Sequence, residues 1–260
     1  MIGRMLARLL SGGAQEDVPP PEAPPGRIVY AIGDIHGEAA LLEALLGKIR
    51  DDAAAREGAP LAVFLGDYVD RGPDSRSVLN LLCDAPLPGF AIDALTGNHE
   101  QGMLAFLADP LSGMAWLEFG GLATLSSYGV PIQPGTVTPA RLRDYRNQLA
   151  ERLPDEHRRF LHRLRPWVVH GDYLFVHAGV RPKVPLAAQR MEDLLWIRDP
   201  FLAWPDRHEK MVVHGHSVRF APELLPNRIG IDTGAYATGV LTAVALEGRD
   251  LRVLQVRRER

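Results

Sequence analysis

Three short stretches put metal-binding residue types directly behind apolar runs: "GDIHG" (Gly33–Gly37), "GDYVDRG" (Gly66–Gly72) and "GNHE" (Gly97–Glu100). Two later ones, "HAG" (His177–Gly179) and "HGHS" (His214–Ser217), add imidazoles. Carboxylate, imidazole and amide oxygen together suit hard to borderline divalent ions such as manganese, iron, zinc or magnesium. One aspartate shared between two ions makes a two-metal site. Ions about 3.5–4 Å apart activate water and clamp the oxygens of a phosphate ester. Such a site needs no covalent protein nucleophile. Cys83 lacks the arginine that a cysteine-based phosphatase would place at the position of Gly89. A Gly-rich loop ending in Lys-Ser/Thr is also missing, so P-loop nucleotide chemistry is unsupported.

Singly, these residues have plainer readings. Asp34 could cap a helix, Asp67 and Asp70 could be turn residues paired with Arg71, Asn98 could be an N-cap, and His177 a satisfied core histidine. Their joint placement carries the inference, and that placement comes from the elements before them. "RIVYAI", "LAVFL" and "FAIDALT" read as strands. "EAALLEALLGKIR" and "SRSVLNLLCD" read as helices between them, and "EQGMLAFLA" opens a third. Strand, helix, strand, helix, strand is the pattern of right-handed parallel crossovers. Ligands of parallel sheets bind beyond the carboxyl ends of the strands, where all three stretches fall. The segment from Leu111 to Arg165 reads as mostly helical. "WVVHGDYLFVHAG" reads as a hairpin turning at Gly171-Asp172, and "KMVVHG", "RIGIDT", "VLTAVAL" and "LRVLQVR" as further strands.

With 260 residues and 46% hydrophobic content the chain can bury a full core, and a net charge of −3 offers no footprint for nucleic acid or an anionic membrane. The single cysteine excludes an internal disulfide and fits a reducing, cytoplasmic setting. No apolar run has membrane-spanning length. "MIGRMLARLL" reads as a short amphipathic helix and "VPPPEAPPG" as an extended tether of unknown partner. The expected division is a flexible proline-rich segment over 1–26 and one catalytic domain over 27–260.

In order and separation, the five stretches resemble the motifs of the phosphoprotein phosphatase family of metallophosphoesterases, above all its bacterial and bacteriophage-lambda-like serine/threonine type. The resemblance extends through "LLWIRDP" and "IDTGA" and covers nearly everything after the tether. It implies an α/β fold, a calcineurin-like sandwich of mixed β-sheets flanked by helices, with a helical insertion. It also implies two divalent ions, manganese first and iron, zinc or magnesium as alternatives. Asp34 and His36 would hold one ion, Asp67 would bridge, and Asn98, His177 and His216 would hold the other. His99 would protonate the leaving oxygen, oriented by Asp70, while Arg71 and Arg198 would grip the phosphoryl oxygens.

The activity this implies is a metal-dependent phosphomonoesterase, specifically a serine/threonine protein phosphatase, working by direct attack of a hydroxide bridging the two ions. Its substrate would be a phosphoprotein or a small phosphorylated molecule. The alternative is a diadenosine tetraphosphate hydrolase; the alternative of another class is a metal-binding regulatory module without turnover. Val218 stands where many related nucleases carry a second histidine, which disfavours nuclease activity. His214 is left outside the ligand set. His170 reads as a surface or turn residue, and His157, His162 and His208 as solvent-facing. Trp116 and Gly120-Gly121 read as packing of the insertion, and Glu100 as a helix-opening charge that suits the dipole.

Overall fold

The structure, a computed structural model, describes residues 19–259. The amphipathic helix expected over "MIGRMLARLL" lies outside the described residues. Strands β1 (Arg27–Ile32), β2 (Ala59–Phe64) and β3 (Ala91–Ala94) pair in parallel, joined by helices α1 (Ala39–Ala54) and α2 (Ser75–Cys83). Along α1 the inward residues Leu41, Leu42, Leu45, Leu46 and Ile49 repeat at helical spacing and form its buried stripe. The start of α2 is set by Asp74, whose side chain accepts from the Ser77 amide at 3.0 Å.

The predicted helical middle is α3 (Asn98–Ala108), α4 (Met114–Trp116), a π-turn at Leu117–Gly121, α5 (Leu122–Ser127), α6 (Pro139–Arg152) and α7 (Asp155–Arg163). The hairpin follows as β4 (Trp167–His170) and β5 (Tyr173–Val176), with Gly171 at φ 60° in its turn. Short helices α8 (Met191–Trp196) and α9 (Asp199–Leu202) lead to β6 (Met211–His214), β7 (Glu223–Leu224) and β8 (Arg228–Gly230). Helix α10 (Ala235–Thr238) precedes the long antiparallel pair β9 (Val240–Glu247) and β10 (Asp250–Arg257). The two-residue β7 has no counterpart in the sequence reading, because two residues carry no periodicity.

These strands form two five-stranded mixed sheets, ordered β10-β9-β1-β2-β3 and β4-β5-β6-β8-β7. Alternation along the strands layers the core. In β1, Ile28, Tyr30 and Ile32 pack with the α1 and α2 leucines, whereas Val29 and Ala31 pack with Phe175, Val213 and Ile229 of the second sheet. Leu174, Val176 and Val212 turn to the outer side of that sheet, against Leu194, Ile197 and Phe201. A strand buried on both faces must be apolar throughout, which is why "RIVYAI" and "LAVFL" show no polar alternation. Among the described residues no helix is long and apolar enough to cross a membrane.

Residues 22–24 are held against the domain. Ala23 is buried and its amide donates to the Gly248 carbonyl at 2.7 Å, while Glu22 and Asp172 exchange two further hydrogen bonds. His162 is exposed, but His157 is fully buried and its Nδ1 meets the Tyr128 hydroxyl at 2.7 Å. That corrects the solvent-facing expectation. The charged neighbours of His157 on α7 lie on the helix's outer face, and the imidazole takes the inner one. His208 is half-buried, its ring 5.2 Å from that of Phe201, and half-buried His170 bonds Asp93 at 2.8 Å.

Candidate metal centre and active site

The carboxyl ends of β1, β2, β3, β5, β6 and β8 meet at one rim, and the backbone there is bent sharply. Among the described residues, seven non-glycine residues have positive φ, and five of them are His36, Asp67, Asp70, Arg71 and His216. Such conformations cost free energy and cluster where side chains must be aimed. Glycines make the crossings possible: a Cβ on Gly97 would run into the Asp67 carboxylate, and one on Gly215 into that of Asp34.

Asp67 lies between two groups, His36–Asp67–His99 and Asp67–His177–His216, within each of which the donor atoms are no more than 4.8 Å apart. Its Oδ2 is 3.4 Å from His36 Nε2 and 3.8 Å from His99 Nε2, and its Oδ1 is 3.4 Å from His177 Nε2. Two imidazoles are oriented from behind. His36 Nδ1 donates to the Val69 carbonyl and His177 Nδ1 to the Leu65 carbonyl, both at 2.9 Å, so that each Nε2 faces the centre. Asn98 Oδ1 stands 2.9 Å from His177 Nε2. Asp34 is outside both groups. Its Oδ2 accepts from the His216 amide at 2.9 Å, while its buried Oδ1 has no partner.

The charges fit divalent cations. Asp34, Asp67 and Asp232 are all buried, with Oδ2 of Asp232 and Nε2 of His216 also unpartnered. Burial, and then the Asp232 charge, pushes the Asp34 carboxyl well above the usual range. Burial drives His36 down to about 3 and His216 down to about 2, leaving neutral imidazoles. For His177 burial acts the same way, but Asp67 outweighs it and raises the group to about 10. Converging lone pairs with a surplus of buried carboxylates are stable only with positive charge among them, whether protons or a cation.

Beside this centre, His99 Nδ1 meets Asp70 Oδ2 at 2.7 Å. Trp116 Nε1 donates to the same oxygen at 2.7 Å, and the Thr124 hydroxyl donates to Asp70 Oδ1 at 2.6 Å. Burial opposes charge on both partners. For Asp70 it dominates, raising the carboxyl. For His99 it is outweighed by Asp67 and then Asp70, which hold the imidazolium above its ordinary range. Arg71 donates to His36 Nε2 at 3.1 Å and reaches His99 Nε2 at 3.0 Å. Its guanidinium lies 4.9 Å from the Tyr236 ring centre, and the Gly120 backbone packs against its stem. Arg198 stands exposed at the edge, bonded to Ser217 Oγ at 3.4 Å. His214 is buried below the rim, bonded to the Gly215 carbonyl, and belongs to neither donor group.

All ten expected residues thus reach one rim, Arg198 at its periphery. Four further residues support the site in ways that sequence patterning does not show. Trp116 is more than packing: a buried indole N–H needs an acceptor, and here the acceptor is Asp70. Glu100 is fully buried, and its carboxylate accepts the amides of Asp67, Tyr68, Val69 and Gly97 at 2.7–3.2 Å, lashing two strand-end loops together. Asp232, one step past Ile231 after β8, obeys the same strand-end rule as the other acids. Tyr236 carries no sequence signal, because its contact with Arg71 joins residues far apart in the chain.

A family model described as calcineurin-like phosphoesterase matches residues 28–231. The chain belongs to this family of metallophosphoesterases. It is similar to the asymmetrical bis(5'-nucleosyl)-tetraphosphatase PrpE of Anoxybacillus flavithermus, 26% identical over 82% of this chain and 88% of that one. It is also similar to serine/threonine-protein phosphatase 1 of Salmonella typhimurium, 39% identical over 38% of this chain; the match spans 42% of that phosphatase. The fold is shared with a solved serine/threonine phosphatase from Saccharomyces cerevisiae, at 14% identity, a TM-score of 0.54, and coverage of 91% of this chain and 81% of that one.

Proposed function

We propose that this phosphoesterase hydrolyses phosphoric anhydrides, with dinucleoside polyphosphates as its first substrate class. This reverses the order expected from sequence, where the protein phosphatase came first. The reversal rests on extent. The likeness to the tetraphosphatase runs through 82% of the chain, insertion included, whereas the likeness to the protein phosphatase is confined to 38%. The higher identity within that shorter part, 39%, keeps phosphoserine and phosphothreonine as the second reading.

The observation that carries the hydrolase reading is Asp67, placed between two sets of inward-facing donors next to the His99–Asp70 pair. Asp34, His36, Asp67, Asn98, His177 and His216 would hold two divalent cations, manganese being the one to load first. When bound, such ions neutralise phosphoryl charge and lower the proton affinity of water. The chain's own residues do the rest. Arg71, and Arg198 from the rim, bind the phosphoryl oxygens through guanidinium forks. His99 delivers its Nε2 proton to the departing oxygen, while Asp70 steadies the ring through Nδ1 and favours the imidazolium. Hydrogen bonds from Trp116, Thr124 and His99 offset part of the burial that opposes charge on Asp70.

The test is a hydrolysis panel run with manganese, iron, zinc or magnesium: diadenosine tetraphosphate, phosphoserine peptide and tripolyphosphate. The expected result is turnover abolished by a chelator, with the highest kcat/KM for the dinucleotide. A higher value for the peptide transfers the assignment to the protein phosphatase reading. Absence of turnover with every ion removes both and leaves the binding-module alternative.

A further inference from the structure

We propose that Phe119 and Trp196 form a stacking shelf for the purine base of a nucleoside polyphosphate, seated on the leaving-group side of the reacting phosphoryl. The proposal rests on the hydrolase reading above and adds the part of the molecule that would select a nucleotide. Trp196 closes α8 and Phe119 lies in the π-turn, yet their ring centres are 6.1 Å apart with planes inclined at 59°. Both stay open to solvent, at 40% and 50% exposure, while Trp116, three residues before Phe119, is 3% exposed. Neither ring is needed to fill the core.

The shelf is continuous with the reaction centre. The Trp196 ring meets the edge of His216 at 6.1 Å. The two rings themselves line a cavity of about 120 Å³, with Asn98, His99, Gly102 and Trp116 among its other walls. Since His99 is the proposed proton donor, the group that departs passes this cavity. Trp196 is steadied by its Nε1 donating to Gln101 Oε1 at 3.3 Å, and the Gln101 amide nitrogen has no partner among the described residues. Gln101 is exposed, so this amide is open to solvent and to an acceptor nitrogen of a stacked base. Two inclined aromatic faces, with a free amide donor at their edge and guanidinium groups across the site, match a flat heteroaromatic base attached to a polyphosphate. An aliphatic peptide side chain offers neither ring a flat face to stack on.

The test compares binding of AMP and ribose 5-phosphate to the metal-loaded protein by calorimetry, in wild type, Phe119→Ala, Trp196→Leu and Trp196→Phe. Stacking on aromatic side chains is strong enough that wild type should prefer AMP by roughly 10-fold or more. Phe119→Ala and Trp196→Leu should each cut that ratio to below about 3-fold, with Trp196→Phe retaining most of it, because any aromatic ring presents a stacking face. Phe119→Ala should hydrolyse tripolyphosphate as the wild type does, which separates recognition of the base from phosphoryl chemistry. Equal affinity of wild type for the two ligands, or a preference for AMP that survives both truncations, overturns the shelf. So does weakened binding of a phosphoserine peptide by Phe119→Ala with AMP unaffected, which would assign the rings to a peptide. Loss of all turnover in the substrate panel defeats the hydrolase reading; the AMP ratio is read independently of turnover.

Discussion

Asp70→Asn separates the charge of that side chain from its shape. The buried carboxylate takes His99 Nδ1 and Trp116 Nε1 on Oδ2 and the Thr124 hydroxyl on Oδ1. An asparagine can place its oxygen toward the two N–H donors and its nitrogen toward Thr124, whose hydroxyl rotates to accept. The contacts therefore survive and the charge does not. A hydrogen bond to a charged group is worth about 1.5–3 kcal/mol and a neutral one about 0.5–1.5 kcal/mol. If that difference of about 1–1.5 kcal/mol is felt in the transition state, kcat falls by roughly 5- to 12-fold for a substrate with a poor leaving group. The sign with pH follows from His99. Burial lowers its proton affinity, and Asp67 and Asp70 more than reverse that, so Asp70→Asn lowers it again. The acid must be protonated to act, so activity is lost as pH rises through its pKa. The descending limb of the kcat profile therefore moves to lower pH in the variant. The assay is the pH profile of kcat for two esters, one with an aryl and one with an alkyl leaving group, with metal content measured alongside. An aryl leaving group departs without a proton, so its loss should be small. Equal losses for both esters with the descending limb unmoved would refute the assignment of His99 as acid and Asp70 as its support.

Glu100→Gln keeps size but sets an amide nitrogen against backbone donors whichever way it is turned, since each carboxylate oxygen accepts two amides. A loss of about 2 kcal/mol is expected, lowering Tm by roughly 4–8 °C in a thermal melt of metal-free protein; an unchanged melt would mean the loops are held by other contacts. Tyr236→Leu removes the ring over Arg71 and should raise KM for phosphate esters by about 5-fold, the worth of a cation–π contact, with metal content unchanged and Tyr236→Phe restoring the wild-type value. A fall in kcat alone would show that Tyr236 acts elsewhere.

Local apolar patterning brings six of the site's polar residues to the rim. A strand buried on both faces must be apolar, so the first polar residues after "RIVYAI" and "LAVFL" fall at strand ends; β3 is a half-exposed edge strand carrying Asp93, but it runs parallel to them and so ends on the same side. That local logic placed Asp34, His36, Asp67, Asp70, Asn98 and His99 without any knowledge of the second sheet. It failed wherever a role depends on what lies opposite. Glu100 looked like a helix-opening charge because its four backbone donors belong to its own loop and to the loop after β2. Trp116 looked like packing because its acceptor lies 46 residues earlier, and His157 looked exposed because charged neighbours surround it in sequence but not in space. Those roles come from contacts across the fold, which also set Phe119 beside Trp196 and Tyr236 over Arg71. Apolar patterning and chain geometry are written in neighbouring residues, whereas hydrogen bonds and ring contacts across the fold depend on distances that exist only once both sheets and the insertion have closed around the centre.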